Sequence, residues 1–323
     1  MKKIILFFLC LCILNADDRL IQIYLDKGIG AVEKELEKSL SSREFWFNYL
    51  EGKDIKYGLY SDNAMIVNVN KEKKLMEVYE YSKNSLTKKF SQEVLTGLRG
   101  DKKVEGDLIT PVGFYESLSH FIPEDTYYGP AAFILSYPNI YDRYQEKTGG
   151  GIWIHGYPLE GELRLDTFKT RGCVALTNDL LLDFEKIVKG KKTYVLINDS
   201  GDEVLSRDDA AIILADIFAW RYAWQTSNTK DYLSFYDKTF KRYDGLKYDA
   251  FVAQKTDIFS RGGEKMIKFS KINISPYPTL EKNRKIFRVS FYENYKAGSY
   301  SFNGEKNLYV TIDNGKMKII VEK

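Results

Sequence analysis

The sequence predicts an α+β multidomain protein, on three observations. Helical periodicity opens the chain, short strand runs punctuated by glycine and proline fill its middle, and helices followed by four strand runs close it. Its 323 residues leave room for two or three domains. Lys2 and Lys3 precede an eleven-residue apolar run at 4–14, and Asn15-Ala16 then offers a small residue before Asp17-Asp18. That layout predicts a signal peptide over 1–16, cleaved after Ala16, with an apolar run too short to span a bilayer comfortably. A periplasmic mature chain is expected, with no second stretch long enough for a transmembrane segment. Cys10 and Cys12 fall in the leader, so Cys173 is the one cysteine left of three. An exported protein that keeps a single thiol invites the question of what that thiol does.

Composition narrows the function classes. Net charge is +3, and loss of Lys2 and Lys3 lowers it to +1. Nucleic-acid binding needs a far stronger basic field, so no nucleic-acid partner is expected. Runs such as Lys71-Glu72-Lys73-Lys74 read as solvated turns. The 24 tyrosines, within a 15% aromatic share, predict aromatic-lined surfaces or pockets.

Residues 17–61 read as helical. Ile29, Val32, Leu36 and Leu40 recur at helical spacing among charged residues, and a second short helix is predicted at 43–50 with Phe45, Trp46, Phe47 and Tyr49. Two such helices make a poor core alone. They must pack on the next domain or on another subunit, which makes this segment a candidate for homodimerisation.

Residues 62–200 change to a strand-rich pattern. The runs 65–69 and 75–79 flank the turn at 70–74, as a hairpin would. Thr110-Pro111-Val112-Gly113 is a proline turn leading into a strand. Gly149-Gly150-Gly151 precedes a short apolar strand, Ile152-Trp153-Ile154, which ends on His155-Gly156. Beyond Cys173, Thr177 or Asn178 can cap a helix whose buried face is Leu180, Leu181, Phe184, Ile187 and Val188, with Gly190 as its stop. A strand at 193–197 closes the segment.

Residues 205–323 begin with a long helix to Trp224, capped by Ser206 or Asp208, with Ile212, Ala215, Ala219 and Tyr222 along one face. A second helix is predicted over 229–240, and strands follow at 265–274, 285–295, 307–312 and 316–321 in a curved antiparallel sheet. Asp313-Asn314-Gly315 joins the last two as a tight hairpin, because two of its positions need positive φ.

The chemistry centres on Cys173 and on His155, one of two histidines in the chain. A histidine at a strand end and a loop cysteine eighteen residues later can meet across a sheet edge, where the imidazole can hold the thiol as thiolate. Gly156 and Gly172 allow close backbone approach to a ligand. No cofactor is implied. One cysteine with histidines 35 residues apart makes no familiar zinc set, so no metal is expected.

Thr110-Pro111-Val112-Gly113-Phe114, Ile154-His155-Gly156 and Thr170-Arg171-Gly172-Cys173-Val174 together resemble the L,D-transpeptidase (YkuD) catalytic domain over about residues 62–199. The family carries His-Gly followed by Ser/Thr-x-Gly-Cys in this order. The resemblance implies a mostly-β domain with Cys173 as nucleophile and His155 as general acid/base. It further implies that the Gly156 carbonyl orients the imidazole and that the amides of Gly172 and Cys173 form an oxyanion hole. Two departures stand out: Arg171 replaces a second histidine common in the family, and Ala175 replaces an arginine thought to hold a substrate carboxylate. Arg171 or Arg164 is left to supply that charge.

With a helical opening and a tail similar to NTF2-like domains, the whole chain resembles the periplasmic L,D-carboxypeptidases that set the shape of helical bacteria. That subfamily implies peptidoglycan muropeptides as substrates and release of D-alanine from the tetrapeptide stem through a thioester. Three other readings stay open. An L,D-transpeptidase would resolve the same thioester with another stem's amine. A non-catalytic wall-binding protein would use aromatics of the tail (Trp220, Tyr222, Trp224, Tyr232, Tyr236), which helical core packing also explains. A serine penicillin-binding enzyme would use Ser85-Leu86-Thr87-Lys88 with Lys147-Thr148-Gly149, but its S-x-N match, Ser82-Lys83-Asn84, abuts the first motif and cannot converge with it from a separate element.

Overall fold

The structure, a computed structural model, describes residues 16–159, 169–281 and 284–323. The predicted leader up to Asn15, and Arg164, lie outside the described residues. None of the described helices is long and apolar enough to cross a membrane.

Three helices open the chain: α1 (Ala16–Lys27), α2 (Ile29–Leu40) and α3 (Arg43–Tyr49), the last capped by Ser42, whose hydroxyl accepts from the Phe45 amide. The helical reading fails past Leu50, where the chain turns and runs extended until Leu59 pairs with Ile274. The middle domain contributes β1 (Ala64–Asn70), β2 (Leu75–Ser82), β3 (Ser85–Glu93), β4 (Gly113–Phe121), β5 (Ala132–Leu135), α4 (Ile140–Tyr144), β6 (Trp153–His155), β7 (Val174–Ala175), α5 (Asn178–Val188) and β8 (Thr193–Asn198). The C-terminal domain follows with α6 (Arg207–Gln225), α7 (Thr229–Leu233), β9 (Tyr236–Arg242), α8 (Tyr248–Ser260), β10 (Lys265–Tyr277), β11 (Ile286–Ala297), β12 (Tyr300–Asp313) and β13 (Lys316–Glu322). The predicted β12–β13 turn is present: Asn314 and Gly315 have φ of 48° and 68°.

Strands β3-β2-β1-β8-β4-β5-β6-β7 form one mixed sheet in that order, and β10-β11-β12-β13-β9 form the second. The second sheet is not wholly antiparallel, because β9 joins β13 in parallel. β9 occupies the stretch predicted as the end of a helix over 229–240. Tyr236 and Phe240, four apart, fit a helix face or one face of a strand equally well, and the edge of β13 decides: the Ile319 amide donates to the Phe235 carbonyl at 2.7 Å. α8 escaped prediction because only Phe251 and Phe259 of its thirteen residues are buried, too sparse an apolar period. On α6 the predicted face is displaced by about one residue. Ile213, Ile217, Trp220 and Trp224 are buried, whereas Tyr222 is 43% exposed.

Among the described residues, α2 and α3 pack on α6 of the C-terminal domain. Trp46 stacks on Phe218 with ring centroids 5.6 Å apart, and Glu37 pairs with Arg221. Most of the tail aromatics belong to the C-terminal core, where Trp220, Trp224, Tyr232 and Tyr236 are buried together. A second aromatic layer lies between the domains. Tyr141 stacks on Tyr309 at 5.3 Å and meets Tyr277 edge-on at 5.1 Å, while Tyr60 stacks on Tyr194 at 4.9 Å. Much of the tyrosine content therefore cements an interface rather than lining an open pocket.

The serine-enzyme reading loses its geometry here. Ser85 lies exposed at the start of β3, and Lys147 is buried in ion pairs with Asp101 and Asp142. Lys71, expected in solvent, is buried as well.

The corrected face of α6 is checked by a pair of substitutions. Ile217→Ala should cost about 2–5 kcal/mol in urea unfolding, while Tyr222→Ala should stay within about 0.5 kcal/mol.

Candidate active site

Strand pairing brings the two predicted residues together. β6 and β7 run parallel, with Ile154 opposite Val174 and His155 opposite Ala175. Cys173 therefore stands immediately before the ladder and His155 at its end. Both line a cleft of about 410 Å³, together with Tyr127, Tyr128, Gly149–Gly151 and Arg171. On the outer side of β7, Ala175 exchanges two backbone hydrogen bonds with Leu95, at 2.9 and 2.8 Å.

His155 is almost fully buried, and its Nδ1 lies 2.6 Å from the Gly156 carbonyl oxygen. A carbonyl only accepts, so Nδ1 carries the proton and Nε2 is the basic nitrogen. The Tyr128 ring meets the imidazole edge-on at 5.1 Å. Gly156 is required by close packing. A Cβ there would lie 2.3 Å from Asn178 Oδ1, an atom that accepts the Tyr157 amide at 2.8 Å.

The cysteine loop is stapled by two threonines. Thr170 Oγ1 donates to the Cys173 carbonyl at 2.6 Å, and Thr110 Oγ1 reaches the same oxygen at 3.4 Å. Thr110 also accepts the Gly97 amide at 2.7 Å. Gly172 has φ 124°, a region that favours glycine, and Gly97 packs directly behind it. The Gly172 amide, expected as an oxyanion donor, donates to Thr170 Oγ1 at 3.2 Å.

The thiol donates to the Gly151 carbonyl at 3.4 Å. Burial pushes it up to about 11, against the opposing pull of the Trp153 backbone amide and of Lys102. Desolvation disfavours the charged form, so the resting group is the neutral thiol and not the thiolate expected from the His-Cys pairing. Lys102 sits at the cleft wall but is tied to the Val104 carbonyl at 3.0 Å and to Asp107 at 2.7 Å. Arg171 is exposed on the cleft wall. Ala175 is fully buried in the ladder, so the cleft shows no cation at that position.

Sequence reasoning missed Thr170, Thr110, Lys102 and Tyr128 as parts of the site. The two threonines were in view within the quoted motifs. Their hydroxyl-to-carbonyl role shows only once residues 95–110 and 170–173 are folded against each other.

The fold and this site define a protein with an L,D-transpeptidase catalytic domain. The chain matches that family (YkuD) over residues 64–197 and the Cds6 C-terminal NTF2-like domain over residues 212–323. It is 51% identical to the helical cell shape determining protein Pgp2 from Campylobacter jejuni. That match covers 88% of this chain and 99% of the other, with TM-scores of 0.82 for the crystal structure of Pgp2 and 0.85 for that of a point mutant. Bd1075 from Bdellovibrio bacteriovorus is 26% identical over 83% of this chain and 95% of its own, with a TM-score of 0.65. No curated protein matches the chain. The chain belongs to the Pgp2 family, and it joins these two domains.

Two outcomes check the site. Alkylation of Cys173 by iodoacetamide should keep accelerating above pH 9.0, with its midpoint near 11. A plateau already reached at pH 9.0 contradicts the buried neutral thiol. Gly97→Ala should displace the cysteine loop, because its Cβ would lie 2.2 Å from the Leu108 carbonyl oxygen. The variant should lose thermal stability and the alkylation profile together, read by a melt and by labelling.

Proposed function

We propose that this protein is a peptidoglycan L,D-carboxypeptidase that trims the tetrapeptide stem to a tripeptide and thereby influences cell shape. The observation that supports this most is the meeting in one cleft of Cys173, immediately before β7, and His155, at the end of the neighbouring β6, with His155 Nδ1 bonded to the Gly156 carbonyl. With Nδ1 protonated, Nε2 is the basic nitrogen that exchanges protons with the reacting groups. Cys173 attacks the carbonyl at the L-centre of diaminopimelate while Nε2 takes the thiol proton. The same proton passes to the nitrogen of the departing D-alanine as its peptide bond breaks. Water then attacks the thioester, giving one proton to His155 and returning the thiol, so the net reaction is hydrolysis of one amide bond. A neutral resting thiol suits this route, because deprotonation is coupled to attack rather than paid in advance.

The developing oxyanion falls to the Cys173 amide, joined by the Gly172 amide when it leaves Thr170. Arg171 is the proposed partner of the terminal carboxylate, with Arg164 the other candidate. Cleavage after Ala16 and action in the periplasm complete the proposal. Homodimerisation through residues 17–61 is supported by the exposed apolar side chains of Ile21, Leu25 and Ile29.

The test is incubation with purified muropeptides and mass spectrometry of the products. Loss of one alanine from tetrapeptide monomers is expected, abolished in Cys173→Ala and reduced by about 10²–10⁴-fold in His155→Gln. New cross-linked dimers would replace hydrolysis by transpeptidation. Binding of muropeptides without any product would favour a non-catalytic wall-binding role.

A further inference from the structure

A buried polar chain links the C-terminal domain to the cleft wall. Tyr277, at the end of β10, accepts from Asn139 Nδ2 at 3.0 Å and donates to Asp142 Oδ1 at 3.2 Å. Asp142 is fully buried, and the same oxygen meets Lys147 Nζ at 3.0 Å. Lys147 reaches Asp101 at 2.7 Å, and Asp101 in turn accepts the Val112 amide at 2.9 Å.

Lys147 is thus the knot between the two loops that wall the cleft. One, around 99–112, supplies Lys102, Glu105 and Gly106; the other supplies Gly149, Gly150 and Gly151. The loops are stitched again one residue on, where the Thr148 amide donates to the Lys103 carbonyl at 3.0 Å and Thr148 Oγ1 accepts the Glu105 amide at 3.3 Å. Three residues later Gly151 offers the carbonyl that holds the Cys173 thiol.

A carboxylate without solvent needs every partner it has, since losing one leaves charge uncompensated. The titratable groups that act on Asp142 are Lys147, Asp101, Tyr115, Tyr137, Tyr277 and Tyr309, and the Asn139 amide donates to it at 3.0 Å. Among the described residues, Tyr277 is the one C-terminal-domain group that hydrogen-bonds Asp142.

We propose that Tyr277 is a positioning residue for Cys173, acting through Asp142 and Lys147 to hold the Gly149–Gly151 wall against the thiol. The C-terminal domain is then part of the catalytic apparatus and not an appendage to it. This rests on the proposed hydrolase reading only for its kinetic consequence; the effect on the thiol does not depend on turnover. His155, Tyr128, Lys102 and Arg171 line the cleft with the thiol, as do Glu105 and Asp125, and Tyr277→Phe removes none of these charged or titratable groups.

The experiment compares Tyr277→Phe, which removes one hydroxyl and keeps the ring against Tyr141 and Tyr309, with Tyr60→Phe. The Tyr60 hydroxyl lies at the same interface, between the Tyr57 carbonyl at 2.9 Å and Ser275 Oγ at 3.1 Å, with no link to Lys147. Each full-length variant, shown to be folded by near-UV circular dichroism, is assayed for iodoacetamide labelling against pH and for D-alanine release. Tyr277→Phe should lower the labelling midpoint by about half a unit or more as the wall loosens and water reaches the thiol. It should also lower kcat about tenfold with KM changed less than about twofold. Asp142→Asn should move both readouts the same way and decides the matter if Tyr277→Phe does not fold. Unchanged labelling and kcat in folded Tyr277→Phe overturn the proposal, as does an equal change in Tyr60→Phe. If the wild-type protein releases no D-alanine, the hydrolase reading falls while the labelling comparison still decides this one.

Discussion

The two-residue ladder Val174–Ala175 is the constraint on which the site depends. β7 is gripped on one side by β6 and on the other by Leu95, so backbone hydrogen bonds on both edges fix its position along the sheet. Strands in a sheet lie about 4.8 Å apart and rise about 3.3 Å per residue. Cys173, one step before the ladder, and His155, at its end, are therefore held at short range by the sheet itself. The chain between them needs only to close, not to aim. Register also accounts for Ala175, whose side chain is fully buried between His155 and Leu95 partners.

Around this ladder the cleft walls are irregular, and buried lysines replace secondary structure as their support. Lys71 donates to the carbonyls of Leu98, Gly100 and Thr110 and pairs with Asp199 at 3.2 Å. Lys102 donates to the Val104 carbonyl and pairs with Asp107, and Lys147 pairs with Asp101 and Asp142. Burial pulls Lys71 down from its usual range, and its carboxylate partner pulls back. An ammonium has three donors on one atom and can gather carbonyls that point inward from a loop with no strand to pair with. Such groups are costly to strip of a partner, so the loops are rigid where the chemistry needs them to be.

The parts of this arrangement legible in the sequence are those with a local signature. His155-Gly156 after an apolar run and Gly172-Cys173 after Thr170 marked the site, and the hairpin at Asp313-Asn314-Gly315 marked the second sheet. What escaped was decided by long-range packing. Lys71 sits in a run that looks solvated, and only the return of residues 98–110 buries it. Tyr236 and Phe240 suit a helix or a strand until β13 supplies an edge. Tyr277 carries no motif at all, and its hydroxyl gains meaning from Asp142, 135 residues earlier. The resting protonation of Cys173 is not legible for the same reason: the residue pattern names a base for the thiol but not the degree of its burial.

The central claim is that Cys173 becomes acylated by the stem peptide. The most direct measurement is intact-protein and peptide mass spectrometry after rapid acid quench of the protein with a tetrapeptide muropeptide. The account predicts an adduct with the mass of the stem after loss of D-alanine, on the peptide containing Cys173, released by hydroxylamine and absent from Cys173→Ala. Release of D-alanine by Cys173→Ala, or an adduct on any other residue, would contradict it.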